Sequence, residues 1–110
     1  MYSNLQVFKA EFFRALAHPI RIRILESLGK HERSVQELQR LLELDQPVVS
    51  QQLAVLRGKG IVVARKSGST VRYALRDRLV TQLLETAREI FNHHLAGTQD
   101  MLKELRKEAR

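Results

Sequence analysis

The spacing of apolar residues changes near residue 58, and this change limits the folds open to the chain. Before it, apolar residues recur every three or four positions, as they do on one face of an α-helix. After it, residues 61–66 are rich in β-branched side chains and residues 70–75 alternate apolar with polar, which is typical of short strands. The chain therefore predicts helices first, then a β-hairpin, and helix again from Leu79.

Start signals for four helices precede the hairpin. The first helix is indicated by apolar residues at helical spacing: Leu5, Phe8, Phe12 and Leu16. Pro19 suits the first turn of a second helix, where its missing amide hydrogen costs nothing. Ser34 and Glu37 have the spacing of a capping box, which predicts that a short third helix begins there. Asp45 is a favourable N-cap for a fourth helix, which runs to about Arg57.

The predicted order is α-α-α-α-β-β-α, a mainly α chain with a small β-hairpin. With 110 residues, the chain is expected to form one domain over 1–110. Two short helices followed by a basic hairpin form a winged helix-turn-helix. The sequence leaves the end of the last helix, 79–95, open: Gly97 would end it, whereas Leu102 and Leu105 continue its apolar row.

Positive charge is concentrated in one fifth of the chain. The whole chain has a net charge of +7, and residues 57–78 alone carry +6. Asp77 is the one acidic residue in this stretch. The seven basic residues are Arg57, Lys59, Arg65, Lys66, Arg72, Arg76 and Arg78. Such a patch is the electrostatic footprint of a polyanion partner, and the alternative is a solvated basic face.

The fourth predicted helix has an uncharged outer face. At 100° per residue, Val49, Leu53 and Leu56 share one face, which predicts that they are buried. The residues that then point outward are Pro47, Ser50, Gln51 and Ala54. Residues 46–56 contain no charge, although 28% of the chain is charged. An ordinary surface helix usually carries Glu and Lys pairs, so the pattern favours a helix that enters a DNA major groove.

This interpretation assigns two kinds of contact with DNA. The predicted recognition-helix residues are Gln46, Pro47, Val48, Ser50, Gln51, Gln52 and Ala54. Gln51 is the leading candidate for reading a base, because a glutamine amide pairs with the edge of adenine. The predicted phosphate and wing contacts are Arg57, Lys59, Arg65, Lys66, Ser67, Gly68, Ser69, Thr70 and Arg72. These contacts would supply affinity rather than sequence preference.

Three stretches of the chain resemble the ArsR/SmtB-type winged-helix repressors. They are ALAHPIRIRIL at 15–25, QPVVSQQLAVLR at 46–57, and GIV at 60–62 with YAL at 73–75. The resemblance covers about residues 8–95 in one register. It implies a homodimeric bacterial or archaeal transcription repressor that binds an inverted-repeat operator in double-stranded DNA.

The resemblance also implies a dimer interface formed by the first and last helices. The corresponding apolar positions are Leu5, Phe8, Phe12, Val80, Leu83, Leu84, Ala87, Phe91 and His94. Helix 79–95 carries more apolar rows than a lone surface helix needs, which favours the same interpretation. A two-fold dimer would place its two recognition helices about one DNA turn apart.

The metal-sensing positions of the family are largely replaced. A Cys-x-Cys site would fall at Ser34 and Gln36, and neither is a thiolate. A second site would fall at four positions: Asp77, Leu79, Ile90 and His93. Two of these four are aliphatic and cannot bind a cation. We therefore expect no cofactor, with Asp77 and His93 as weak candidates for Ni or Zn across a dimer.

The signal that controls such a repressor is not visible in the sequence. The adjacent histidines diverge by 100° on a helix, so we expect His94 to pack in the apolar row and His93 to be solvated. The remaining interpretations are a protein co-regulator, an effector outside the known inducers, or no signal. A metal-responsive repressor with an atypical histidine and carboxylate site is the alternative.

Other function classes fit the chain less well. It has no nucleophile–base pair, no Gly-rich phosphate loop and no cysteine, so an enzyme is not expected. The apolar runs are short and the N-terminus lacks a secretory pattern, which predicts a cytoplasmic protein with no membrane partner. Two rivals remain: a nonspecific architectural DNA-binding protein, and a winged helix used only for protein contacts.

Overall fold

The computed structural model describes residues 1–95 and 99–109. In chain order the elements are α1 (Asn4–Leu16), α2 (Pro19–Leu28), β1 (Arg33–Ser34), α3 (Val35–Leu42), α4 (Gln46–Gly58), β2 (Val62–Ser67), β3 (Thr70–Leu75), α5 (Leu79–His94) and α6 (Gln99–Glu108). They form two compact units, Met1–Arg78 and Leu79–Arg110. The mainly helical fold with a β-hairpin after the fourth helix is confirmed.

The sheet has one strand more than the sequence predicted. β1 pairs with β3, and β3 pairs with β2, which gives an antiparallel sheet in the order β1-β3-β2. β1 is only two residues long, so it contains no alternation that a sequence pattern could show. The prediction of a two-stranded hairpin was therefore incomplete.

The C-terminal unit contains two helices within its described residues. α5 ends at His94 and α6 covers Gln99–Glu108, whereas the sequence left open one helix that continues. Gly97, where the sequence suggested an end, lies outside the described residues. On α6, Leu102 and Leu105 are half-buried. No helix in the described ranges combines the length and apolar character needed to cross a bilayer.

The predicted helix starts are confirmed, and three of them have side-chain caps. In the α3 capping box, the Glu37 amide donates to Ser34 Oγ at 3.2 Å and the Ser34 amide donates to Glu37 Oε1 at 3.1 Å. Ser3 forms a second capping box at α1, and His18 Nδ1 accepts from the amide that follows Pro19 at α2. Asp45 is the N-cap of α4 as predicted, but its carboxylate accepts no cap hydrogen bond.

The core of the N-terminal unit fixes the orientation of α4. Its fully buried side chains come from α2, α3, α4 and β2: Ile24, Leu25, Leu38, Val49, Leu53, Leu56 and Val62. Three of these seven belong to α4, and they are the three that helical spacing placed on one face. Burying such side chains stabilises the fold by roughly 1.5–3 kcal/mol each.

The turn between α3 and α4 contains a strained residue. Glu43, at the C-cap of α3, has φ 55° and ψ 50°, in the left-handed region that glycine normally occupies. Its amide donates to the Gln39 carbonyl, which closes the helix. Because a side chain in this region costs about 1–2 kcal/mol, the packing of α3 and α4 must compensate for it.

Glycine at position 43 should therefore be better tolerated than alanine. We expect Glu43→Gly to unfold with a free energy about 1 kcal/mol higher than Glu43→Ala, because only alanine retains the Cβ clash. Urea unfolding followed by circular dichroism measures the difference. Equal stability of the two variants would contradict a left-handed residue at this turn.

Candidate nucleic-acid interface

The outward face of α4 is exposed as the sequence predicted. Val49, Leu53 and Leu56 are at most 1% exposed, so the opposite side of the helix faces solvent. That side carries Pro47, Gln51 and Ala54, all exposed, together with the half-buried Ser50, Val48 and Gln52. Gln46 is exposed in the first turn. The surface is polar, small and free of charge until Arg57.

The three glutamines of α4 differ in their availability. Gln46 Nε2 donates to Ser50 Oγ at 2.7 Å, and Gln52 Oε1 accepts from Arg21 Nη1 at 2.9 Å. Gln51 has no hydrogen-bond partner among the residues that the structure describes, and its side chain is exposed. Gln51 therefore keeps both its donor and its acceptor for an external group, as a base reader requires.

Arg21 joins three elements at one point, and the sequence analysis missed it. Its Nε donates to the Ala15 carbonyl at 2.6 Å and its Nη2 to the Arg14 carbonyl at 3.4 Å, while Nη1 reaches Gln52. The end of α1 is thus tied to α4 through α2. The sequence could have indicated this role. Arg21 precedes the apolar Leu25 by one helical turn, and a charged side chain on the face of a helix that packs on the core requires polar partners.

The strand register divides the wing into two faces. One face carries the pairs Ala64 with Tyr73 and Lys66 with Val71. This is also the face of Val62, whose side chain is buried in the core. β2 packs on α4, so this face borders the recognition helix. The strands meet at a two-residue turn in which Gly68 has φ +63°, a conformation that favours glycine. The other wing residues at the turn, Ser67 to Thr70, are exposed.

The opposite face of the wing carries an ion-pair cluster. Arg65 and Arg72 oppose each other across the strands, an unfavourable pairing of like charges. Glu32 is ion-paired with both of them, and its Oε1 lies 3.3 Å from Arg72 Nε. Arg72 Nη2 also reaches Glu37 Oε1 at 3.0 Å, in the capping box of α3. The cluster ties the wing to the start of α3 and gives both predicted phosphate ligands a carboxylate partner.

The cluster lowers the pKa of its two carboxyl groups. The hydrogen bond from Arg65, with the charges of Arg65 and Arg72, holds the pKa of Glu32 below its ordinary value of 4.5. The Ser34 amide, followed by the Ser34 hydroxyl and the Arg72 charge, lowers the pKa of Glu37. Both carboxylates are therefore ionised at neutral pH and available to the arginines.

The remaining cations are less engaged. Lys59 Nζ lies 3.3 Å from Glu11 Oε2, and both side chains are 46% exposed, so this surface pair contributes little. Arg57 and Lys66 are exposed and have no side-chain partner within the described part of the chain. They are thus better placed than Arg65 and Arg72 to meet a phosphate.

A groove separates α4 from the wing. It has a volume of about 420 Å³ and is lined by Ser50, Leu53, Ala54, Arg57, Gly58 and Tyr73. Five of these residues belong to α4, and Tyr73 belongs to β3. In the sequence Tyr73 stands out only as part of the YAL stretch at 73–75, and no contact was predicted for it. Strand alternation could have placed it on the face that borders α4.

The predicted dimer residues lie on both units. On α1, Leu5 is 60% and Phe8 67% exposed, and Phe12 is half-buried. On α5, Phe91 and His94 are exposed, while Leu83, Leu84 and Ala87 are half-buried. Val80 is already buried within a single chain, so it leaves almost no surface for a partner. His94 is exposed in the single chain, so its packing in the apolar row of a dimer stays a prediction.

The weak metal candidates belong to different units, Asp77 to the N-terminal unit and His93 to α5, and a weak site that they form across a dimer stays a prediction. Among residues 1–95 and 99–109, no three histidine, aspartate or glutamate side chains are grouped to hold a metal ion. Ser34, at one of the two positions where the resemblance implies a Cys-x-Cys site, caps α3 through its hydroxyl.

The helices α3 and α4, with an uncharged exposed face on α4, are followed by a basic wing of antiparallel strands. This arrangement is that of a winged helix-turn-helix regulator. The family model described as "Bacterial regulatory protein, arsR family" matches residues 18–63. An HTH-type transcriptional regulator of Mycobacterium tuberculosis, Rv0081, is 43% identical over 99 residues, which cover 89% of this chain and 87% of the relative. The chain belongs to the ArsR family of transcriptional regulators, so it is not an enzyme.

Solved structures and a second relative agree with this assignment. The crystal structure of M. tuberculosis Rv0081 superposes with a TM-score of 0.80 at 42% identity, covering 87% of this chain and 97% of that one. The homodimeric winged helix-turn-helix DNA-binding domain of Mb0332 from Mycobacterium bovis gives a TM-score of 0.76 at 26% identity, with coverage of 86% and 91%. The biofilm growth-associated repressor of Agrobacterium fabrum is 39% identical over 82 residues, covering 74% and 70%.

The ion-pair cluster should make stability depend on pH below the ordinary glutamate pKa. Because the folded pKa values of Glu32 and Glu37 are lowered, their contribution is complete above pH 4.5 and is lost as the pH falls through those lowered values. Urea unfolding at about pH 7 and about pH 3 measures the loss. We expect a smaller loss in the double variant Glu32→Gln with Glu37→Gln, in which glutamine can still complete the capping box.

An identical acid-induced loss in the parent chain and the double variant would show that these carboxylates contribute nothing to the pH dependence. The comparison holds all other carboxyl groups constant, so the difference between the two proteins reports on the cluster alone.

Proposed function

We propose that the chain is a homodimeric repressor that binds an inverted-repeat operator with α4 in the major groove. One observation carries the proposal: the exposed face of α4 is uncharged, and Gln51 on it has no partner among the described residues, while the free cations Arg57 and Lys66 flank it. A helix that enters a groove of stacked bases needs short polar side chains in its centre and positive charge at its edges.

The two groups of residues would perform different tasks. Gln51 can form two hydrogen bonds with the edge of an adenine, which discriminates between bases by about 1–3 kcal/mol. Arg57 and Lys66 would neutralise backbone phosphates and release counterions, which strengthens binding to every sequence. Arg65 and Arg72 would mainly brace the wing, since a phosphate contact requires them to leave Glu32 or Glu37.

A two-fold assembly is supported by exposed apolar side chains on two helices. Leu5 and Phe8 of α1 and Ile90 and Phe91 of α5 are each more than half exposed. Large apolar side chains on one helix face indicate a protein interface when they are contiguous. The Mb0332 domain from M. bovis is described as homodimeric, and the Agrobacterium relative is named as a repressor.

We further propose that the chain responds to no metal ion. The residue identities support this, because Leu79 and Ile90 occupy two positions where the family's α5 site has ligands, and the chain has no cysteine. The control signal would then come from a protein co-regulator or an effector of another kind, unless repression is constitutive. The alternative is a weak Ni or Zn site that Asp77 and His93 form across a dimer.

Separate variants should distinguish base reading from phosphate binding. An operator is first selected from random duplexes, and binding to it is compared with binding to bulk DNA. We expect the parent chain to prefer its operator by about a thousandfold or more. Gln51→Ala should reduce this preference by about 1–3 kcal/mol, whereas Lys66→Ala should weaken both duplexes equally and lower the salt slope by about one per subunit.

Gln82→Ala is the matched control, since Gln82 is an exposed glutamine on α5. No operator preference in the parent chain would favour the nonspecific architectural DNA-binding protein instead. Absence of salt-dependent binding to any duplex would favour a winged helix used only for protein contacts.

Calorimetric titration with Zn²⁺ and Ni²⁺ tests the metal-free proposal. We expect no binding with a Kd below about 1 μM and no release of the selected operator, because too few ligands remain. Tight binding that releases the operator, and that His93→Ala abolishes, would establish the metal-responsive alternative.

A further inference from the structure

The groove between α4 and the wing has the lining of an anion site. We infer that it holds one phosphodiester of the operator backbone, with the Tyr73 phenol and the Arg57 guanidinium as hydrogen-bond donors. This inference rests on the proposed function and adds to it a residue, Tyr73, that the sequence analysis gave no role. It also assigns Arg57 a particular phosphate rather than a general positive charge.

The chemistry of the lining selects an anion. Leu53 and Ala54 supply an apolar floor, Ser50 and Tyr73 contribute hydroxyl groups, and Arg57 contributes a positive charge. Among the described residues no carboxylate lines the groove, so a cation would find no counter-charge from them. Phosphate oxygens accept hydrogen bonds from hydroxyl, phenol and guanidinium groups, and these are the donors available. With a volume of about 420 Å³, the groove has room for a phosphodiester and its sugar.

The donors in the groove are free, unlike the arginines on the far face of the wing. Neither the Tyr73 phenol nor the Arg57 guanidinium has a hydrogen-bond partner among the described residues. Ser50 Oγ accepts from Gln46, which leaves its own proton to donate. Arg65 and Arg72 are held by carboxylates on the opposite face. Donors without an internal partner at the wall of a groove favour an external acceptor.

The strand register extends the positive surface along the groove. Tyr73 of β3 pairs with Ala64 of β2. Lys66 lies two residues after Ala64 on β2 and pairs with Val71 on the same face of the sheet. Side chains two residues apart in a strand point the same way, so Lys66 lies on the Tyr73 face, nearer the turn. A DNA strand that passes between α4 and the wing would then meet Arg57 and Tyr73 first and Lys66 next.

The position of the groove indicates a backbone contact rather than a base contact. Ser50, Ala54 and Arg57 form a stripe at helical spacing along the side of α4 that borders the wing, and Gln51 lies 100° away from Ser50 around the helix. A phenol and a guanidinium at this edge would hold the sugar-phosphate chain while Gln51 reaches the bases. The contribution of Tyr73 should therefore be independent of DNA sequence.

Removal of the phenol oxygen alone tests this inference. Binding is measured by fluorescence anisotropy with a labelled mixed-sequence duplex of about 30 base pairs and with the selected operator, between about 50 and 200 mM salt. We expect Tyr73→Phe to weaken both duplexes by the same factor, roughly 10- to 150-fold per subunit, as loss of a hydrogen bond to a charged group predicts. The slope of log affinity against log salt should not change, because phenol is neutral.

Two further variants serve as a comparison and a control for Tyr73→Phe. Arg57→Gln should also weaken both duplexes but should reduce the salt slope by about one per subunit, since it removes a charge. Tyr2→Phe is the matched control, because Tyr2 is an exposed tyrosine ahead of α1, and it should bind DNA as the parent does. Thermal unfolding of Tyr73→Phe checks that the ring, which the variant keeps, still packs in place.

The outcomes that would overturn the inference are distinct from failure of the proposed function. Unchanged affinity of Tyr73→Phe, with normal salt-dependent binding by the parent, would remove Tyr73 from the interface and leave DNA binding intact. Weakening of the operator alone would make Tyr73 a base reader. Absence of duplex binding by the parent would overturn both proposals.

A final arm separates the backbone phosphodiester from a free phosphate. Inorganic phosphate should displace the duplex no better than chloride of equal ionic strength. Displacement in excess of chloride that is lost in Tyr73→Phe would show that a free phosphate ion also binds the groove, in competition with the DNA backbone there. Displacement in excess of chloride that Tyr73→Phe retains would place the competing phosphate site elsewhere and remove the groove from the DNA contact.

Discussion

Burial of Val49, Leu53 and Leu56 determines which face of α4 reaches solvent, and the interface depends on that orientation. Rotation of the helix by even one residue, 100°, would bury polar side chains such as Ser50 and expose apolar ones. The cost of such a rotation is several kcal/mol, because each buried side chain contributes roughly 1.5–3 kcal/mol. The core therefore holds the uncharged surface around Gln51 outward.

Strand alternation divides the cations of the wing between positions with a carboxylate partner and positions without one in the described part of the chain. Arg65 and Arg72 share the face away from α4, where Glu32 and Glu37 neutralise them and connect the sheet to the start of α3. Lys66 shares the face that borders α4 and has no side-chain partner in the described part of the chain. The basic stretch of the sequence is thus divided in the folded chain. Arg65 and Arg72 are ion-paired with carboxylates, whereas Lys66 is exposed to solvent.

Local features of the chain were predictable and tertiary features were not. Helical spacing, the capping box at Ser34 and the alternation in the hairpin placed four helices and two strands, because each is encoded within a few neighbouring residues. β1 was missed because two residues show no period. Arg21 reaches Gln52 across 31 positions and Arg65 reaches Glu32 across 33, so no local pattern reveals these partners. The groove at Tyr73 forms only where the wing packs on α4 through β2.

The most direct test of the interface uses the absence of cysteine from the chain. Gln51→Cys creates a single attachment point for an iron chelate, which cleaves DNA close to the labelled side chain. An α4 seated in the major groove predicts cleavage of the selected operator at two clusters about one helical turn apart, one for each subunit of a two-fold dimer. The same label at Gln82→Cys should cleave neither cluster. Equal cleavage from both positions, or cleavage from Gln82→Cys alone, would contradict an α4 that lies in the major groove.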